Sequence, residues 1–321
     1  MIRYIVKRTL WLIPTIVIVA FIIFVLLDLA PGTVVDSMIG GDMTQEEVEA
    51  LYREYNLDKS VFYRFGIYMV DLVHGNLGIS QFTKLSVWDE FFSRFPNTLL
   101  LSLSGLVIAT LISIPLGIFA AKHAGSGWDS GTTAFTLLGM SMPNFWLGLL
   151  FIIIFAYKLR LFPVGGAETA SAFVLPAVST SFVMMATTTR QTRSAMLDNI
   201  RADFLRTARA KGVPEREVIN KHALRNALIP IITTLGTTFI RALAGSAVVE
   251  TVFNFPGIGK LTVDAVTRRD VTQVCGCVIL TTILYVVLLL VIDLLYAAVD
   301  PRIKSQYVSG SKKKKKGGAT G

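Results

Sequence analysis

Cysteine and histidine are nearly absent from this chain: Cys275 and Cys277 are its only thiols, and His74, His123 and His222 its only imidazoles. A lone Cys-x-Cys is a weak sign of metal or disulfide chemistry, and small apolar residues in a helix are its plainer meaning. The scattered histidines form no His-Glu-x-x-His zinc site, and no Gly-x-Ser-x-Gly elbow is present. Pro256-Gly257-Ile258-Gly259-Lys260 approaches a phosphate-binding loop but lacks its spacing. No catalytic constellation remains, so the reading is a non-enzyme with no cofactor of its own.

Charge is scarce as well. Only 17% of the 321 residues are charged, against 53% hydrophobic, and the mean hydropathy is +0.59. That balance excludes an ordinary soluble domain and points to an all-α polytopic membrane protein. Apolar runs of about 20 residues, the length that crosses a ~30 Å hydrocarbon core, fall at 9–29, 98–121, 132–157, 172–191, 227–249 and 276–299. Six transmembrane helices are therefore expected. The fourth is the weakest, diluted by Ser179, Thr180, Ser181 and Thr187 to Thr189 and ended by Arg190. Arg3, Lys7 and Arg8 precede the first run as in a signal peptide, but the run is long and no clear small-x-small site follows, so it reads as a retained span.

Basic residues near span ends are held on the cytoplasmic side. Placing both termini inside assigns 19 Lys and Arg to inner segments and 10 to outer ones. The outer segment 31–96 carries ten acids against five bases, while Lys158 and Arg160 run against the rule. The net charge of +9 thus speaks of a cytoplasmic face and anionic lipid, with no nucleic-acid partner. A helix-turn-helix DNA reader at 200–225 is disfavoured because flanking spans would hold it at the bilayer.

The organisation expected is an N-terminal tail and first span (1–30), an extracytoplasmic cap segment (31–96), a five-helix core (97–300) that includes a cytoplasmic loop at 193–226, and a basic tail (301–321). In the cap, Thr44 and Glu47 make a capping box before Val48, Leu51 and Tyr55 at helical spacing. A second surface helix is expected at Val87 to Phe92, with Tyr63, Phe65, Tyr68 and the His74 to Gly78 turn packed between. The cap is read equally as a docking surface or a structural lid. The tail SGSKKKKKGGATG is low in complexity and reads as solvated.

The polar run from Arg206 to Pro230, RTARAKGVPEREVINKHALRNALIP, lies between apolar runs. Arg206 to Lys211 reads as a helix end, Gly212 as its stop and Pro214 as the first residue of a second helix with Glu215 and Glu217 in its first turn. Lys221, His222 and Arg225 are expected near that helix's negative end. Arg206, Thr207, Ala208, Gly212 and Ile229-Pro230 resemble the Glu-Ala-Ala coupling loop of ATP-binding-cassette (ABC) importer permeases, departing from it at the first two positions. Further matches are Leu29-Ala30-Pro31-Gly32, Pro96-Asn97-Thr98-Leu99, Ser141 to Trp146, and Phe162 to Gly166. They continue with Val249 to Phe253, Pro256 to Gly259, Arg269-Asp270, and Asp293 to Tyr296 through Asp300-Pro301-Arg302. Their collinear order resembles the peptide/nickel branch of that family over nearly the whole chain.

The resemblance implies a type I importer permease fold with cytoplasmic coupling helices in a bacterial-type plasma membrane. It implies a homologous second permease, one or two cytoplasmic ATPases that bring ATP and magnesium, and an extracytoplasmic substrate-binding protein. Phe204, Leu205, Arg206, Thr207, Ala208, Ala210, Lys211, Gly212 and Pro214 become the ATPase-coupling residues, with Phe204, Leu205 and Ala208 as an apolar knob. Peptides are the expected substrate, with nickel chelates or glutathione as alternatives. A channel or secondary transporter is the other class, and would show internal repeats.

Ionisable residues at membrane depth are expensive unless they face protein or water. Arg241 and Asp293 are therefore expected to pair with each other or to line a pathway, with Arg241 able to attract a peptide carboxylate. Pro143 and Asn144 in the third span join them as pathway candidates, and Pro143 and Pro230 are expected kinks.

Overall fold

The computed structural model describes residues 2–39 and 43–299. Its α-helices are α1 (Ile2–Leu29), α2 (Gln45–Glu54), α3 (Val61–Val73), α4 (Val87–Lys122), α5 (Gly127–Ser141), α6 (Asn144–Phe151), α7 (Val174–Ile200), α8 (Asp203–Ala210), α9 (Glu215–Glu217), α10 (Leu224–Gly245), α11 (Ala247–Val252), α12 (Ile258–Thr267) and α13 (Val271–Val299). Wider π-helical turns, Ile152–Lys158 and Val218–Ala223, extend α6 and join α9 to α10. Among the described residues there is no strand. The Lys-rich tail and the Asp300-Pro301-Arg302 motif lie outside them.

The chain divides into two compact units, Met1–Pro96 with the stretch from Pro256 onward, and Asn97–Phe255. In the first, α1 packs along α13 and against α3. Phe21 and Phe24 of α1 meet Phe65 edge-on, and Phe24 meets Tyr68. The aromatic run expected to pack in the cap lies on an amphipathic helix with one face against α1. The capping box is present: Glu47 N–H donates to Thr44 Oγ1 at 3.3 Å and Thr44 N–H to Glu47 Oε2 at 2.8 Å. Val87 to Phe92 is not a separate surface helix. It forms the first turns of the 36-residue α4, which runs on through Pro96 into the second span. Asp270 fastens this unit, accepting from Ser80 Oγ at 2.6 Å, Phe82 N–H at 3.1 Å and Gln273 N–H at 3.0 Å. Cys275 and Cys277 are free and fully buried.

The second unit is built around α7, which packs along α10 and against α5 and α6. Its buried surface includes Ser179, Thr180, Ser181, Thr188, Thr189 and Thr192. Close approach permits this: a Cβ on Gly117 of α4 would lie 2.5 Å from Thr192 Cβ and 2.9 Å from the Thr189 carbonyl oxygen. Small residues bring membrane helices together in this way.

Four stretches are long and apolar enough to cross a bilayer: Arg8–Leu29, Val87–Lys122, Glu215–Ala244 and Val271–Asp293. The third expected run is broken by a 103° bend between Gly127–Ser141 and Asn144–Lys158, and makes a fifth span if the pair is one. Helix α7, the fourth expected span, is not among them.

Candidate functional site

Helix α8 exposes most of its surface but buries Leu205 completely, among Met196, Val218, Ile219, Ala223 and Ala227. Ala208 packs at the edge of that cluster, one turn away on the same face. Phe204 points the other way and is 44% exposed. The expected knob of Phe204, Leu205 and Ala208 is therefore divided: Leu205 and Ala208 anchor the segment, and Phe204 stands on the free face with Arg206, Thr207, Ala210 and Lys211.

Gly212 closes the turn at φ +76°, a left-handed conformation that costs a side chain about 1 kcal/mol or more. Pro214 follows in extended conformation as the N-cap, one position before the helix rather than inside it. Across the turn, the Arg209 guanidinium donates to both oxygens of Glu215, at 3.0 and 2.9 Å. The bond to Glu215 raises Arg209 above its ordinary value, and an exposed pair of this kind contributes about 1 kcal/mol or less.

The second helix does not end near Arg225. Glu215 begins a helical path that continues through the π-helical turn into α10, so Lys221, His222 and Arg225 lie within it rather than at a negative terminus. No glycine or proline interrupts 215–229, and Pro230 is accommodated inside the helix. The polar stretch from Glu215 and the apolar stretch that follows it are consequently one helical path.

A cavity of about 130 Å³ opens within the second unit between α6, α7 and α10. Asn144, Thr180, Thr187, Thr238, Arg241 and Ser246 line it. The bend at Pro143 makes Asn144 available: Met142 and Pro143 are extended, and Asn144 begins α6. Arg241 is exposed, with no hydrogen-bond or ion-pair partner among the described residues. Asp293 is not part of this lining. It belongs to the first unit and gives its carboxylate to Arg8 of α1.

Two further acidic groups have no role assigned from the sequence, and the first lies in a matched motif. Glu250 is fully buried and accepts from Thr98 Oγ1 at 2.7 Å and Ser246 Oγ at 2.6 Å, so it orients a hydroxyl of the cavity wall. Asp129 of α5 binds Arg193 of α7 through 2.5 and 2.7 Å bonds. Neither partnership has a local signal, because its members are 64 or more positions apart, except for Ser246 four residues before Glu250.

A bundle of apolar helices with a polar helix-turn-helix continuous with one span, and a polar cavity holding an arginine, defines the membrane subunit of a transporter. The comparisons agree. The family model "Binding-protein-dependent transport system inner membrane component" matches residues 113–305, and its N-terminal counterpart matches 1–103. The oligopeptide transport system permease protein AppB of Bacillus subtilis (strain 168) is 38% identical over 315 residues, covering 95% of this chain and 100% of that one. The glutathione transport system permease protein GsiC of Escherichia coli (strain K12) is 36% identical over 304 residues, covering 95% and 99%. A solved structure titled as an inward-facing conformation of the MetNI methionine ABC transporter shares the fold, with a TM-score of 0.53 at 19% identity over 64% of this chain and 93% of that chain.

The chain belongs to the inner-membrane components of binding-protein-dependent transport systems. It is a multi-pass inner-membrane permease subunit of an ATP-driven importer.

Proposed function

We propose that this permease forms half of the translocation pathway for peptides and is driven by a cytoplasmic ATPase through residues 193–226. One observation carries the coupling role: α8 is anchored by buried Leu205, presents Phe204 outward, and is joined across the Gly212 turn to a helix that runs without interruption into a span. A push on Phe204, Arg206, Thr207, Ala210, Lys211 or Pro214 is then delivered to the α10 rod, as rigid-body switching requires.

The full arrangement is a type I importer permease with six spans and both termini cytoplasmic. Helix α7 is the sixth crossing, its hydroxyl groups enclosed by neighbouring helices instead of lipid. Support for an even number comes from the Arg8–Asp293 ion pair, which holds the start of the first span beside the end of the last. A homologous permease supplies the other half of the pathway, one or two ATPases bring ATP and magnesium, and a substrate-binding protein docks on the 31–96 segment. Pro143, Asn144 and Arg241 are the pathway residues. Peptide as substrate rests on the name of the AppB relative, and glutathione, itself a small peptide, on that of GsiC.

The test is to tag the chain, extract it gently from its native membrane, identify what co-purifies and assay ATP hydrolysis. Recovery of a second permease with ATPase activity is the expected result. The chain alone, without hydrolysis, would restore the channel or secondary-transporter class.

A further inference from the structure

Arg241 occupies a position that neither folding nor coupling explains. It lies in α10 within an apolar crossing stretch, Glu215–Ala244, and it faces the cavity beside Asn144. Two other arginines on long helices have anions: Arg8 has Asp293, and Arg193 has Asp129. Arg241 has none among the described residues. No carboxylate lines its cavity, where the neighbouring polar groups are the hydroxyls of Thr180, Thr187, Thr238 and Ser246 and the Asn144 amide. Thr180 is 9% exposed, and its hydroxyl finds no hydrogen-bond partner.

An unneutralised guanidinium at membrane depth is costly unless water or an anion meets it. The ion that suits its planar fork is a carboxylate, which accepts two parallel hydrogen bonds. The neutral wall suits what such an ion would be attached to, since hydroxyl and amide groups both donate to and accept from peptide units. A cationic substrate finds no counterion there.

We propose that Arg241 binds the free carboxylate of the transported substrate and makes this permease selective for substrates that carry one. The proposal rests on the peptide-importer reading above. Selection by the delivering protein would act before this step, and Arg241 would act on what is released into the pathway.

The test uses the whole transporter, co-purified with its partners and reconstituted in vesicles, with trialanine and trialanine amide as paired probes. ATP-dependent uptake is measured for each with the binding protein present in excess. The wild type takes up trialanine in preference to its amide. Arg241→Gln lowers trialanine uptake roughly ten- to hundredfold, the loss expected for one charge-assisted bidentate pair, while amide uptake holds and certifies that the variant is folded. Arg241→Lys keeps the charge and part of the preference. Arg190→Gln, in the other arginine that follows the hydroxyl run of α7, leaves the preference intact. Equal loss of both probes in Arg241→Gln, no loss, loss of preference in Arg190→Gln as well, or a wild type that does not prefer trialanine would overturn the assignment. Wild-type uptake that ignores ATP would defeat the importer reading instead, so the two failures are distinguishable.

Discussion

Helices α1 and α7 are of nearly equal length, 28 and 27 residues, but their surfaces were written for different neighbours. The crossing stretch of α1 has mean hydropathy 3.0 and buries 11% of its residues within the protein, leaving Leu10, Ile13, Val17 and Ile18 exposed. Fourteen residues of α7 are buried, six of them serine or threonine. In a bilayer, an exposed apolar side chain is solvated by lipid and needs no protein partner, whereas a hydroxyl needs enclosure. Hydropathy thus reports which helices face lipid. It misses α7, which packs against α5, α6 and α10 within its own unit.

The comparison is broken most severely at the closest approach to α7. Gly117→Leu forces α4 away from Thr192 and the Thr189 carbonyl and is expected to cost about 3 kcal/mol or more, read as lost yield of folded chain and a lower thermal aggregation midpoint. Gly66→Leu on α3, where a Cβ meets nothing within 4 Å, is expected to have little effect by the same assay. A large loss there would show that the difference is not one of packing.

Neighbouring residues of α8 repeat the contrast on a smaller scale. Leu205→Ala removes a fully buried side chain and should cost about 2–4 kcal/mol locally, loosening the 193–226 segment to protease. Phe204→Ala should leave protease resistance unchanged and lower coupled ATP hydrolysis in the assembled transporter. The opposite pattern would reverse the anchor and contact roles.

At the membrane boundary, Asp293→Asn strips Arg8 of that carboxylate and is expected to cost about 1–3 kcal/mol, measured as a shift in the midpoint of thermal unfolding in detergent. Arg8→Gln in the same background should recover part of the loss, because the two side chains act as a pair.

The smallest effect is the capping box of α2. Its hydrogen bonds to Thr44 hold the Glu47 carboxyl below its ordinary value. The stabilisation is therefore complete above the unfolded carboxylate range, around 4.3, and fades as pH falls through the lower folded value. Amide protection in the first turn of α2, taken relative to the intrinsic exchange rate at each pH, should fall over that acid window and stay constant across it in Glu47→Gln. An unchanged window in the variant would mean that another group sets it.

How much of this was legible in the sequence follows from what each feature depends on. Gly212 marked a helix stop because only the left-handed turn conformation demands it, and Thr44 with Glu47 marked a helix start because the pair acts locally. The coupling rod was misjudged: basic residues at 221–225 imitate a helix C-terminus, yet without glycine or proline the backbone simply continues. Val87 was misplaced because an amphipathic first turn does not separate itself from the span it begins, and Pro96 is carried inside α4 without ending it. Pro143 was legible as a kink, but its 103° bend was not, because that depends on Met142 and Pro143 both being extended. Glu250 with Thr98, and Arg8 with Asp293, are 152 and 285 positions apart. Only folding brings such partners together, and a single sequence carries no record of it.

The most direct test of the contrast between an exposed, apolar α1 and an enclosed, cavity-lining α7 is labelling of single cysteines in intact membrane vesicles. Thr187→Cys on the cavity wall and Val17→Cys on the free face of α1 would be treated with a small, water-soluble maleimide, the native Cys275 and Cys277 being fully buried. The account predicts that Cys at 187 reacts, at a rate that changes when ATP is supplied to the assembled transporter, and that Cys at 17 stays unlabelled. Labelling at 17 with none at 187 under either condition would contradict it.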